Sequence, residues 1–93
     1  MSKLELNGNT YELVANMGRM RKICASLGTN AIVDIMERLE RGDIEVMYLM
    51  LLEFSGKTLG GDILDEHLRP EAGLLAVSEA LNEWLVDKTR KKK

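Results

Sequence analysis

A chain of 93 residues with one cysteine forms no internal disulfide and no cysteine-based zinc site, and its length suits one modest domain. Hydrophobic residues make up 45% of it, ordinary for a globular protein, while six methionines against 4% aromatics favour an adaptable apolar filling. The net charge of −2 is uneven: five of the thirteen basic residues fall within 88–93, so the remaining body sits near −7 and repels phosphate. Residues 1–87 are expected to form a single α+β domain, mainly α. An N-terminal β-hairpin precedes four to five helices packed around an apolar central one, and 88–93 is a basic tail.

The hairpin is expected over 3–13. Leu4, Leu6, Tyr11 and Leu13 alternate with polar residues, the period of a half-buried strand. Asn7-Gly8 between the two runs suits a type I′ turn, which needs positive φ twice. That turn sets position 4 opposite 11 and position 6 opposite 9. The four apolar side chains then share one face, and Lys3 meets Glu12 on the other. A lone hairpin is marginal in water, so its apolar face must lie on something else.

A first helix is expected over about 16–27. Asn16 suits its N-cap and Gly28 its left-handed end. Met17, Met20, Ile23, Cys24 and Leu27 repeat at helical spacing, with Arg19, Arg21 and Lys22 on the outer side. Cys24 falls on the apolar stripe and reads as a small core residue, not a nucleophile. A second helix, over about 30–41, takes Thr29 or Asn30 as cap. Ile32, Ile35, Met36 and Leu39 form its inner stripe, and Asp34–Arg38 and Glu37–Arg41 are i,i+4 pairs.

Gly42 stops that helix and Asp43 caps the next, over about 43–55. Nine of the eleven side chains in Ile44–Phe54 are apolar. As a helix the stretch spans about 16 Å, half a bilayer core, so it does not cross a membrane. A helix apolar on nearly every side must be covered on nearly every side. Either the flanking segments wrap it, or another chain does.

The glycine-rich run 55–61 reads as the loosest part of the chain. Its Gly56-Lys57-Thr58 is not a phosphate loop, because Leu51 stands where the first glycine belongs and the preceding run reads as helix. Lys57 instead suits the negative end of that helix's dipole. A short helix over about 62–69 is expected, capped by Asp62. It carries the single histidine, His67, beside Asp65 and Glu66, with nothing spaced to complete a metal or acid–base site. Pro70 opens a last helix, over about 71–88. Leu74, Val77, Leu81, Trp84 and Leu85 make its stripe, widened by Leu75 and Val86. Trp84 suits either a core or an interface anchor.

The order of these pieces resembles the small tail assembly chaperones of long-tailed phages, in the branch shared with gene transfer agents. Such chains open on a strand–NG–strand hairpin, as LELNGNTYEL does at 4–13. A segment of the type L-G-x-L-x-x-L-x-x-x-L-G follows. Here MGRMRKICASLG at 17–28 matches it with Met or Ile in place of Leu, and Lys22 and Cys24 stand where the family carries acids. The likeness covers about 3–56.

The resemblance implies a non-enzymatic protein of the host cytoplasm, absent from the mature virion. It would bind the tape measure protein, with tail tube subunits as further partners, and it would self-associate. The side chains expected to meet a partner are Met47, Met50, Leu51, Phe54, Trp84, Arg19, Arg21 and Lys22. The family also makes two product lengths by frameshifting, and Lys91-Lys92-Lys93 suits an A-rich slip site. No cofactor or metal is expected, no leader or membrane span is expected, and nucleic acid is disfavoured. Two alternatives stand beside this reading. One is a structural virion subunit of the head–tail connector type. The other is a nucleic-acid-binding regulator using the basic tail.

Overall fold

The fold begins at a turn that only a few residue types can make. Asn7 (φ 51°) and Gly8 (φ 81°) both take positive φ, which matches the right-handed twist of the flanking strands. A computed structural model of the chain describes residues 2–86, with strands β1 (Ser2–Leu6) and β2 (Asn9–Leu13) joined by this turn. The register sets Leu4 opposite Tyr11, Leu6 opposite Asn9 and Lys3 opposite Glu12. Leu4, Leu6 and Leu13 are buried and Tyr11 is half-buried on their shared face, while Lys3, Glu5 and Glu12 face water. Five helices follow, so the architecture is α+β and mainly α.

Helix α1 (Met17–Leu27) starts where expected: Asn16 Oδ1 accepts the Arg19 N–H at 2.9 Å. It ends at Gly28, whose left-handed φ of 74° lets its N–H turn back to the Cys24 carbonyl. Helix α2 (Ile32–Glu40) starts differently from expectation. Ala31 holds the N-cap position and offers no side-chain bond. Thr29 Oγ1 instead accepts the Ala31 N–H at 3.2 Å, which shapes the loop before the helix and leaves the helix's own first donors aside. Asp34 and Arg38 pair at 3.4 Å. Arg41 bonds through its backbone N–H to the Glu37 carbonyl, and no ion pair joins their side chains.

Helix α3 (Ile44–Phe54) is capped by Asp43, whose Oδ1 accepts from Glu45 N–H at 3.1 Å and Val46 N–H at 3.3 Å. Asp43→Ala removes that acceptor at the start of the most buried helix. It is expected to lower stability by about 1 kcal/mol, read as the shift in a urea unfolding midpoint at constant slope.

The flanks of α3 answer the question its sequence raised. Helix α1 lies on one side, α5 (Pro70–Val86) on another, and α2 and β2 close the remainder. Val46, Met50, Leu51 and Phe54 are fully buried, and Met47 nearly so. Each such burial contributes about 1.5–3 kcal/mol, and no other element contributes as many large side chains to the core.

The run after α3 is better anchored than its glycines suggested. Ser55 is buried; its hydroxyl donates to the Leu52 carbonyl at 3.1 Å and accepts the Leu59 N–H at 3.3 Å. Thr58 Oγ1 donates to the Ser55 carbonyl at 2.8 Å. These bonds drive Leu59 into the core. Helix α4 (Gly61–His67) is capped at Gly60 without a side-chain bond; Asp62 sits inside the first turn, where its charge suits the dipole.

The face of α5 keeps Val77, Leu81, Leu74 and Trp84 of the expected stripe and departs from it at Leu75, Leu85 and Val86. Gly73, Ala76, Val77, Ala80 and Leu81 are buried, Leu74 and Trp84 are half-buried, and Leu75, Leu85 and Val86 are exposed. The helix packs through small residues because it comes close. A Cβ placed on Gly73 would stand 2.6 Å from Met47 Sδ and 3.2 Å from Leu68 Cδ2. The end of the expected helix at Lys88 and the basic tail, 88–93, lie outside the described residues.

Candidate protein-binding surface

The residues expected to meet a partner divide into three groups. Met47, Met50, Leu51 and Phe54 are not on the surface: they are 3%, 0%, 0% and 0% exposed and belong to the core of this chain. Apolar character marked them correctly as residues to be covered, but β2, α1, α2 and α5 do the covering. Their assignment to a partner surface is therefore corrected.

Arg19 is the second group. It does not ride freely on the outer side of α1. Its Nη1 donates to the Phe54 carbonyl at 2.8 Å and the Val14 carbonyl at 3.0 Å. The Val14 N–H reaches the same Phe54 carbonyl at 2.9 Å. Phe54 ends α3, and its carbonyl has no partner within the helix unless something is brought to it. A guanidinium supplies the donor and favours the negative end of the dipole. Arg19 thus ties the exit of the hairpin, the first turn of α1 and the last turn of α3 together.

Trp84, Arg21 and Lys22 form the third group and remain available. Arg21 and Lys22 are exposed on α1. Half-buried Trp84 comes from the last turns of α5 and forms one wall of an apolar groove of about 570 Å³. Met17, Met20, Cys24 and Ala25 of α1 and Ile32 of α2 line it with Trp84, and Arg21 adds a positive charge to the lining. Met17 is 63% exposed there, an unusual position for a large apolar side chain at a helix start. Cys24, expected as core, is half-buried and looks into this groove. A concave apolar strip between helices, with a charge at its edge, suits the apolar face of an incoming helix.

The other hollows are less suited to that task. One of about 210 Å³ lies between α2 and α5 against Met36, Leu39, Leu81 and Leu85. Another, of about 550 Å³, runs beside β2 and is lined by polar groups of Thr10, Glu12, Arg19 and Thr58. His67 Nε2 stands 3.9 Å from its neighbour Glu66. Among the described residues, no three His, Cys, Asp or Glu side chains come together to hold a metal ion. Lys57 lies 3.8 Å from Glu53, one turn back along α3, and the element before Gly56 is a helix. No helix among the described residues is long and apolar enough to cross a membrane.

The groove was only partly visible beforehand. Trp84 and Arg21 were marked, whereas Met17, Met20, Cys24 and Ile32 were read as core and Ala25 went unmarked. Their apolar spacing gave the stripe of α1, but nothing local to α1 announces that the end of α5 passes beside it. No family model matches this chain, and no curated protein and no solved structure matches it.

Proposed function

We propose that the chain is a non-enzymatic binding protein of the tail assembly chaperone kind, which shields an apolar-faced helix of a tape measure protein before a tail tube closes around it. The observation that carries this reading is the apolar groove between α1 and the end of α5, lined by exposed Met17 and half-buried Trp84 beside the buried Met20. Exposed Met17 and half-buried Trp84 supply an apolar contact that adapts to differing helix faces. Arg21 in its lining suits a helix whose polar flank is acidic. The hairpin-and-helix motifs over 3–56 add support through their resemblance to that family, and the proposed setting is the host cytoplasm.

The test is a titration of the full chain with a helical fragment of the tape measure protein encoded beside it, followed by the emission of Trp84. Burial of the indole on binding shifts that emission to the blue. Met17→Asp, at an exposed position, is expected to leave the fold intact and to weaken binding about tenfold or more. A fragment that leaves the emission and the elution of the chain unchanged would sink the reading. Recovery of the chain from purified particles would favour a structural virion subunit instead. Binding to DNA or RNA that collapses with added salt would favour the regulator.

A further inference from the structure

We infer that β1 pairs edge to edge with β1 of a second copy, giving a symmetric dimer with a continuous four-stranded antiparallel sheet. The two-residue turn makes Leu6 and Asn9 the closing hydrogen-bonded pair of the hairpin. Bonding to β2 then alternates, through Leu6, Leu4 and Ser2. The N–H and C=O of Lys3 and Glu5 point away from β2. The same alternation along β2 sends the Val14 N–H outward, and it does so, reaching Phe54. The sheet has two strands only, and no described residue bonds to the outward backbone groups of Lys3 and Glu5. Both residues are exposed. The β2 edge differs: its end is already occupied by the bond from Val14 to Phe54 and by Arg19.

Three independent requirements select one register for a second β1. Antiparallel pairing must match outward groups with outward groups, so Lys3 and Glu5 can oppose only each other or themselves. Setting Lys3 opposite Lys3, or Glu5 opposite Glu5, places like charges across the junction, which is destabilising. A two-fold axis through Leu4 sets Lys3 opposite Glu5 of the second copy and Glu5 opposite its Lys3. Each such pair exchanges N–H···O bonds in both directions and brings opposite charges together. That axis also lies at the middle of Ser2–Leu6, so the strands overlap along their whole length. Backbone parity, charge and overlap therefore agree. An interface with the same patch on both copies is the commonest way to close an oligomer. No residue of β1 lines the groove of α1 and α5, so the pairing is proposed independently of what that groove binds.

Sedimentation equilibrium of the full chain tests the pairing. Wild type is expected at twice the 10.5 kDa monomer mass. Lys3→Glu alone and Glu5→Lys alone each convert both junction pairs to like charges, and each is expected to weaken the dimer roughly tenfold or more. An equimolar mixture of the two variants restores opposite charges at every pair and is expected to form a mixed dimer. The double variant Lys3→Glu/Glu5→Lys is expected to dimerise like wild type. Glu5→Pro removes an outward N–H and none that bonds β2, and is expected to give monomer with its helical circular dichroism retained. Lys3→Glu also places a carboxylate opposite Glu12. If that unfolds the hairpin, Glu5→Lys and Glu5→Pro carry the test, because Glu5 faces Thr10. Wild type that stays monomeric at every soluble concentration overturns the proposal. So does a dimer indifferent to both Glu5→Lys and Glu5→Pro, since it would form through another face.

Discussion

Phe54→Ala is expected to lower stability by about 3–5 kcal/mol, the usual cost of emptying a buried aromatic site. Phe54 is 0% exposed and closes α3, the helix that its own chain surrounds most completely. At about 0.05–0.15 kcal/mol per residue, a chain of 93 residues holds roughly 5–14 kcal/mol in total. The substitution therefore removes about a fifth of the margin or more, and the thermal midpoint is expected to fall by at least about 12 °C. The loss should exceed that of a matching Leu75→Ala change, because Leu75 is 62% exposed. A thermal scan showing equal midpoints for the two variants would mean that α3 does not organise the core.

Arg19→Ala is the second large effect, and it acts on polar groups. Its two charge-assisted bonds reach carbonyls far apart in the sequence, those of Val14 and Phe54. Bonds of this type contribute about 1.5–3 kcal/mol when their partners are shielded. Arg19 is only part-buried, so a total loss of about 2 kcal/mol is expected. Arg19→Lys should recover part of it, since the ammonium keeps the charge but the shorter side chain ends short of the Nη1 position that serves both carbonyls. Hydrogen exchange at the Val14 amide, which shares the Phe54 carbonyl, should quicken in the alanine variant. Unchanged exchange with weakened partner binding would instead return Arg19 to the surface role that its sequence position first gave it.

Most of the elements were legible because their signals are local. Asn7-Gly8 fixes the turn, Asn16 and Asp43 supply acceptors for bare N–H groups, and Pro70 presets the first turn of α5. Caps failed where the backbone took another route. Thr29 spent its hydroxyl on the loop, and α4 began one residue before Asp62. The face of α5 was misread only at its margins, for a different reason. Val77 and Leu81 are buried as expected, but Gly73 comes against Met47 and, with Ala76 and Ala80, fills the rest of the inner face, so Leu75 and Leu85 turn outward. Tertiary distance decided this, and periodicity does not carry distance.

The candidate surface was harder still. An apolar side chain announces that it must be covered and is silent about what covers it. That is why Met50 and Phe54 read as partner contacts while lying in the core. Arg19 was mistaken in the opposite sense. Its spacing placed it outside, and the carbonyl it satisfies is 35 positions away. The groove needs both the start of α1 and the end of α5, and no motif joins them.

One arrangement has a bearing on how the molecule is made. Of the described elements, β1 is synthesised first, and it rests against α5, synthesised well after it. Leu4, Leu6 and one flank of α3 must wait uncovered at the ribosome until that helix emerges. Closure across nearly the whole sequence is then the slow event of folding, and the partial chain is the sticky species. A stalled or shortened product that stops before Pro70 would itself need the kind of shelter that the finished protein is proposed to give.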